Sequence, residues 1–227
     1  LYLVATPIGN LEDITLRALR ILREVELVAA EDTRRTRKLL AHYDIHVPVT
    51  SYHQHNCKTK GPYLLNVLRE GRSVALVSDA GMPGISDPGA ELVARAHAQG
   101  IAVRCVPGPS APVAALAVSG LPTRRFIFEG FLPASPKNRR RRLQELVGEE
   151  CTLIFFEAPH RLVETLEDLR QVFGDRTIAV ARELTKQYEE VVRGTVAEVL
   201  GHFREHPAQG EITLVVAGRP VEARAQG

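Results

Sequence analysis

The chain has 227 residues, of which 44% are hydrophobic and 25% are charged. This composition excludes a chain that is disordered throughout, and the length suits one large domain or two smaller ones. Lys and Arg total 29 and Asp and Glu total 27, so the net charge of +2 excludes a uniformly basic coat. Any nucleic-acid-binding surface must therefore be a local patch.

The first half of the sequence alternates short apolar runs with segments of helical period. We expect strands at 1–5, 27–30, 47–51, 74–77 and 101–106, with helices between them. Strand and helix in regular alternation are typical of a parallel sheet that is covered by helices. The sequence therefore predicts a parallel α/β domain in this half.

The second half has a different organisation. Residues 107–123 are rich in Pro and Gly, and we place a domain junction near Gly120, giving domains at 1–120 and 121–227. Further strands are expected at 126–131, 151–156, 177–182, 188–193 and 211–217. The strands near 180 and 190 are separated only by Glu183–Gln187, which is too short for a parallel crossover, so this pair is predicted to be antiparallel. The second domain should contain a mixed sheet with helices.

Unusual loops follow several of the predicted strands. Pro and Gly recur in Thr6–Asn10, Ser78–Gly89 and Val106–Ala111, and Phe155–Arg161 contains a further Pro. Gly lets backbone amides approach a ligand and Pro limits the entropy lost on ordering, and open parallel sheets bind ligands beyond the carboxyl ends of their strands. The alternatives are plain strand-to-helix turns and, for Ser110, a helix cap. Neither dinucleotide nor P-loop fingerprints occur.

Together these segments resemble the tetrapyrrole methylase superfamily of S-adenosylmethionine-dependent methyltransferases. The resemblance is closest to a branch that methylates the ribose 2′-oxygen of a cytidine in bacterial 16S rRNA. It covers nearly the whole chain in the family's motif order. The segments that carry it are Leu1–Asp13, Ala29–Arg34, Ser78–Gly89, Val106–Ala111, Phe128–Pro133, Phe155–Arg161, Ala181–Lys186 and Gly210–Val215.

The resemblance implies two α/β domains of tetrapyrrole methylase type, a homodimer, and S-adenosylmethionine in the cleft between a parallel-sheet N-terminal domain and a mixed-sheet C-terminal domain. It also implies a set of cofactor contacts, many of them through backbone atoms. Carried onto this sequence, that set is Pro7, Ile8, Asp79, Ala80, Gly81, Met82, Pro83, Ser110, Phe156, Glu157, Gly210, Glu211, Ile212 and Thr213.

Methyl transfer to a ribose hydroxyl needs an aligned nucleophile and a base or a nearby cation, because the hydroxyl is a weak nucleophile. Charged residues follow two predicted strands at the expected site. We expect Arg34, Glu183 and Lys186 to position the ribose and phosphate, with Glu183 or Asp32 as the base. The alternative is that these charges form ion pairs between domains or subunits.

A second cationic region is expected to bind the RNA phosphates. Residues 124–142 contain seven Arg and Lys side chains against the single acidic residue Glu129. A solvated helix face is the usual explanation for such a run, but its concentration here favours RNA. The predicted RNA-binding residues are Arg124, Arg125, Lys137, Arg139, Arg140, Arg141 and Arg142.

Two other functions stay open at this stage, a tetrapyrrole methyltransferase of the same fold and a non-catalytic RNA-binding protein of ribosome assembly. The first would have little use for the basic segment, and the second need not maintain a shaped cofactor pocket. No metal is expected, because His53 and His55 lack a third ligand of clear spacing.

The compartment is predicted from cysteine usage and hydropathy. The three cysteines are far apart and odd in number, which argues against a disulfide framework and favours the reducing cytoplasm. No apolar stretch is long enough to cross a bilayer, and Leu1–Ala5 is too short for a signal peptide. We therefore expect a cytoplasmic protein with the small ribosomal subunit and its own copy as partners, and no membrane partner.

Overall fold

The fold is described from a computed structural model that covers residues 1–87 and 89–220. Pro88 of the predicted Ser78–Gly89 loop and the last residues of the predicted second domain lie outside the described residues. By its internal contacts the chain divides into two compact units, Leu1–Ser110 and a second unit that begins at Ala111. Each unit is organised around its own sheet.

The first unit is built on a parallel sheet, as the sequence predicts. Its strands lie in the order β3-β2-β4-β1-β5, and every neighbouring pair is parallel. All of their carboxyl ends therefore meet at one edge of the sheet. The strands are β1 (Tyr2–Val4), β2 (Leu27–Ala30), β3 (Val49–Ser51), β4 (Val74–Val77) and β5 (Arg104–Val106).

Helices cover both faces of this sheet, which explains why its strands are continuous apolar runs. Val28 belongs to the same core cluster as Leu22 and Leu40, whereas its neighbour Leu27 belongs to the cluster around Leu64 on the opposite face. The alternation follows from the two-residue period of a strand. The helices are α1 (Leu16–Glu24), α2 (Thr33–His42), α3 (Cys57–Arg69) and α4 (Gly89–Ala98).

The second unit contains the predicted mixed sheet, in the order β6-β7-β10-β8-β9. β6 and β7 are parallel and the other neighbours are antiparallel. The antiparallel pair that the short connection at 183–187 predicts is confirmed as β8 and β9. The strands are β6 (Phe126–Phe131), β7 (Thr152–Glu157), β8 (Thr177–Arg182), β9 (Glu190–Thr195) and β10 (Ile212–Val216).

Three helices of the second unit contribute to one apolar cluster, in which Leu143, Leu166 and Phe203 pack with Phe155 and Leu214 of the sheet. A further helix, α5, lies against β7 and β10. The structural boundary therefore falls before α5 rather than near Gly120, because this apolar helix packs on the second sheet. The helices are α5 (Ala111–Val118), α6 (Pro136–Leu146), α7 (Leu162–Phe173) and α8 (Val196–Glu205).

Helix α6 hides one arginine of its basic run. Arg139 lies one turn before Leu143 on the buried face, and its side chain is 1% exposed. Its Nε donates to Asp168 Oδ2 on α7 at 2.6 Å, and Arg140 Nη1 lies 3.3 Å from the other carboxylate oxygen. The helical period thus assigns Arg139 to the core, where the predicted contact with RNA cannot form.

The helices of residues 1–87 and 89–220 include none that is both long and apolar enough to span a membrane.

We expect Arg139→Met to lower the free energy of unfolding by about 3 kcal/mol, because Asp168 would stay buried with only the half-exposed Arg140 beside it. Arg141→Met removes an exposed charge two positions further along the same helix and should change stability by less than about 0.5 kcal/mol. Urea denaturation of both variants measures the difference. Equal losses would show that Arg139 is no more structural than its exposed neighbour.

Candidate functional site

Two strand-end loops of the first unit are joined by their backbones. Thr6 N donates to Gly81 O at 2.9 Å and Gly81 N donates to Thr6 O at 3.0 Å, so a single bridge connects the loops after β1 and β4. The Thr6 hydroxyl also donates to Ser78 O at 3.2 Å, and the Ser78 hydroxyl donates to Gly81 O at 3.1 Å. These bonds fix the first two loops of the predicted site.

The third loop, after β5, approaches the same point. Gly81 has a φ of +84°, and a Cβ there would lie 3.4 Å from both Ile8 Cγ2 and Pro109 O. A side chain at position 81 would therefore contact the loops after β1 and β5, and would do so in a strained backbone conformation. The structure brings together the predicted first-unit cofactor residues on these loops, which are Pro7, Ile8, Asp79, Ala80, Gly81, Met82, Pro83 and Ser110.

Asp79 connects the loop after β2 to this edge. Its Oδ1 accepts a hydrogen bond from Asp32 N at 2.8 Å, while Oδ2 lies 3.8 Å from Arg35 Nε. A cavity of about 250 Å³ opens beside Asp79. Its lining is Thr6, Pro7, Leu11, Arg35, Thr36, Lys38, Leu39, Ser78 and Asp79.

Carboxylates concentrate at the same edge. Burial raises the pKa of Glu31, and the nearby Asp79 and Asp87 carboxylates raise it further. Asp87 Oδ1 accepts from Gly84 N and Gly89 N, both at 2.8 Å, and so shapes the long loop after β4. This edge therefore carries three acidic side chains, whose negative charge Arg35 offsets in part. No role is predicted for Glu31 from the sequence, although its position directly after β2 places it at the edge where ligands of parallel sheets bind.

The structure gives Asp32 a helix-capping role. Its Oδ1 accepts from Arg34 N at 2.8 Å at the start of α2, and Arg34 Nη2 donates to Oδ2 at 2.8 Å. These bonds, led by those from the Arg34 side chain, hold the pKa of Asp32 far below its ordinary value. A carboxylate in that state is a weak base.

Glu183 and Lys186 lie close together at the edge of the second sheet. Lys186 Nζ donates to Glu183 Oε1 at 2.7 Å and to Glu211 Oε2 at 3.1 Å. The same Glu183 oxygen accepts from Glu211 N at 2.9 Å. Any Cβ at Gly210 would overlap the Glu183 carboxylate, so only glycine allows this ion pair to sit against the chain.

The turn after β8 holds this arrangement in an unusual backbone conformation. Glu183 and Thr185 have φ values of +51° and +69°, which for the β-branched Thr185 is a rare conformation. Residues held in such conformations cluster at ligand-binding and catalytic sites. The turn is therefore a candidate for function as well as a connection between two strands.

Burial is the largest single influence on the pKa of each member of this pair, but hydrogen bonds and neighbouring charges together outweigh it. Burial acts to raise the pKa of Glu183, but the bonds from Lys186 and from Glu211 N outweigh it, so the pKa lies below its ordinary value. For Lys186 burial acts to lower the pKa, and the bonds to Glu183 and Glu211 outweigh it and raise the pKa. The two side chains therefore form a stable ion pair, in which Glu183 is a weak base and Lys186 a fixed cation.

The remaining predicted cofactor residues share one strand pair. Phe156 and Glu157 end β7, and in the antiparallel register they face Thr213 and Ile212 of β10. The Glu157 carboxylate is buried and accepts from Ala158 N, Arg161 Nε and Thr165 Oγ1 at 2.6–2.8 Å. Its side chain is therefore occupied within the fold, and Glu157 can offer a ligand only its backbone.

The predicted RNA-binding residues fall into three groups. Arg139 is buried, Arg140 faces Asp168, and Arg142 forms a bidentate pair with Glu129 in addition to a bond to Glu145. The remaining four are exposed and have no ion pair within the described residues. They are Arg124, Arg125, Lys137 and Arg141.

The described residues contain no group of three or more His, Cys, Asp or Glu side chains that could hold a metal ion. The cysteines Cys57, Cys105 and Cys151 are free.

The chain is a two-unit α/β protein. Its first unit has a parallel sheet with converging strand-end loops, and its second unit has a mixed sheet with a separate cluster of charged side chains. The model of the tetrapyrrole (corrin/porphyrin) methylases matches residues 1–200, and the chain belongs to this family. A solved cobalt precorrin-4 methyltransferase has the same fold, with a TM-score of 0.70, 20% identity, and coverage of 95% of this chain and 93% of that one.

Curated relatives are considerably more similar in sequence. The ribosomal RNA small subunit methyltransferase I of Halalkalibacterium halodurans is 56% identical over 96% of this chain and 75% of that protein. The protein of the same name from Thermotoga maritima is 53% identical over 96% of this chain and 98% of its own length.

Proposed function

We propose that this protein transfers the methyl group of S-adenosylmethionine to the ribose 2′-oxygen of a cytidine in 16S rRNA of the small ribosomal subunit. The observation that carries the proposal is the identity of more than half of the residues, over nearly the whole chain, to proteins named as ribosomal RNA small subunit methyltransferases. The cytidine 2′-oxygen is the target that the family resemblance implies. The tetrapyrrole enzyme of the same fold shares only 20% identity.

The first-unit loops suit this cofactor chemically. S-adenosylmethionine carries a positive sulfonium, which supplies the methyl group, and the Glu31, Asp79 and Asp87 carboxylates provide negative potential at the loop edge. The missing side chain at Gly81 leaves backbone groups open to close approach. We assign cofactor binding to these loops and to the backbone of the β7–β10 pair, with the Asp79 carboxylate available to a hydroxyl or ammonium group.

Methyl transfer would form a bond between the ribose 2′-oxygen and the methyl carbon, break the bond from that carbon to sulfur so that S-adenosylhomocysteine leaves, and release the hydroxyl proton to solvent water. We assign Lys186 to stabilising the oxygen as it becomes negative, because its ammonium is held in one place. Glu183 orients Lys186, and its low pKa argues against a role as base. Arg34, whose side chain is 84% exposed, is assigned to a phosphate.

The four exposed cations Arg124, Arg125, Lys137 and Arg141 would bind the backbone of the RNA. We further propose, from the family resemblance and the ribosomal substrate, that the protein is a homodimer of the cytoplasm. The two remaining alternatives are methylation of a porphyrinogen and RNA binding without catalysis, and both are outcomes of the experiment that follows.

The direct test incubates small ribosomal subunits with the protein and S-adenosylmethionine and maps the rRNA by mass spectrometry before and after. We expect one cytidine ribose to gain a methyl group. In the same assay Glu183→Gln should lower kcat about 10²-fold by misplacing Lys186, with cofactor affinity unchanged.

Glu205→Gln, an exposed change at the end of α8, is the matched control and should retain wild-type turnover. A porphyrinogen is supplied in a parallel reaction. Methylation of the porphyrinogen alone would establish the tetrapyrrole alternative, and binding of RNA without methylation of either would establish the non-catalytic one. Unchanged turnover of Glu183→Gln would remove Glu183 from the mechanism.

Replacing Arg124, Arg125, Lys137 and Arg141 by Gln in one variant should weaken RNA binding. It should also make the negative slope of log K against log salt shallower by roughly 3, because each lost phosphate contact removes about 0.7–0.9. The matched control replaces Arg20, Arg23, Arg69 and Arg72, which are exposed residues of the first unit near the opposite, amino-terminal edge of its sheet. Filter binding at several salt concentrations measures both slopes. Equal slopes for the two variants would remove the proposed RNA surface.

A further inference from the structure

A crevice of about 530 Å³ lies at the β8–β9 end of the second sheet. The connection from β8 to β9 forms one side, and the loop from α8 to β10 forms the other. This volume falls in the range of roughly 300–1,000 Å³ that is typical of small-molecule sites. The lining residues are Arg182, Glu183, Tyr188, Pro207, Gln209 and Gly210.

Tyr188 is the unexplained member of this crevice. The residue is 68% exposed, more than Tyr63 at 47%, although a large aromatic ring usually gains free energy by burial. It follows the strained turn of Glu183 and Thr185, and no step of the proposed reaction uses it. A ring that is left uncovered in a concave, polar setting is suited to stacking with a flat ligand.

The other residues of the crevice provide the complementary polar groups. The Gln209 side chain is exposed and offers both an amide donor and an amide acceptor. Arg182 is held in place by Glu190, whose Oε2 accepts from its Nε at 2.6 Å. Lys186 lies two residues before Tyr188 in the same connection, and its ammonium is bonded to Glu183, which lines the crevice.

We propose that this crevice binds an unpaired base of the RNA substrate, stacked on Tyr188 and hydrogen-bonded at its edge by Gln209. The inference rests on the proposed function and adds to it that the substrate is recognised as a single strand. Proteins read unpaired RNA by stacking its bases on aromatic rings and bonding their exposed edges, whereas the base faces of a duplex are covered.

The chain contains no Trp, so Tyr188→Trp creates a single fluorescent reporter inside the crevice. We expect a single-stranded oligocytidylate to quench this fluorescence saturably, and a duplex RNA of equal length and phosphate concentration to leave it unchanged. Tyr63→Trp places the reporter on α3 of the first unit as the control, and neither RNA should quench it. Quenching that is absent, or equal for duplex and single strand, or equal at position 63, would overturn the proposal.

A second variant separates this inference from the proposed function. Tyr188→Ala should raise KM for the small ribosomal subunit about tenfold, while Tyr188→Phe, which keeps the ring, should restore the wild-type value. Binding of S-adenosylmethionine should be unchanged in both. Normal methylation with an unaltered KM in Tyr188→Ala would refute the base site and leave the proposed function intact. Quenching at position 188 without any methylation of RNA would refute the function and leave the base site.

Discussion

Two backbone hydrogen bonds between Thr6 and Gly81 are the constraint on which the first unit's site depends. They hold together loops from β1 and β4, and a Cβ added at Gly81, whose φ is positive, would lie within contact distance of Ile8 and Pro109. The parallel strand order places the loops after β1 and β4 at one edge of the sheet. The backbone hydrogen bonds between Thr6 and Gly81 then hold these two loops against each other. Asp79 then extends the surface to the loop after β2 through its bond from Asp32 N.

In the second unit, an ion pair between Glu183 and Lys186 holds the charged side chains in place. Glu183 places its carboxylate over Gly210, binds Lys186 and Glu211 N, and accepts a left-handed backbone conformation to do so. Such strain persists where the surrounding structure fixes it and is common at ligand sites. The result is a cation of fixed position beside a crevice with an uncovered aromatic ring. In the proposed reaction these residues therefore contribute positioning rather than an unusually strong base.

Much of the fold is predictable because the two-residue and 3.6-residue periods survive in the sequence. The parallel sheet, the mixed sheet and the β8–β9 pair follow from apolar runs and connection lengths.

The sequence does not show which polar side chains form hydrogen bonds and ion pairs inside the fold. Arg139 belongs to a basic run in the sequence, but in the core it donates a hydrogen bond to Asp168. The Glu157 carboxylate accepts hydrogen bonds from Arg161 and Thr165. Such partners are distant in the chain, so composition cannot show them. The division between the two compact units before α5 has a related origin, because a segment rich in Pro and Gly resembles a linker in the sequence, whereas its helix α5 packs on β7 and β10.

The central claim, that the loops converging on Gly81 hold S-adenosylmethionine, is tested most directly by calorimetry with that compound. The wild-type protein should bind one molecule per chain, and Gly81→Ala should lose most of the affinity. Gly71→Ala is the matched control, since Gly71 has a φ of +83° against +84° at Gly81 but nothing within 4 Å of the added Cβ. Both variants carry the same backbone strain, and we expect Gly71→Ala to bind as the wild type does. Undiminished binding by Gly81→Ala, or an equal loss in both variants, would contradict the account.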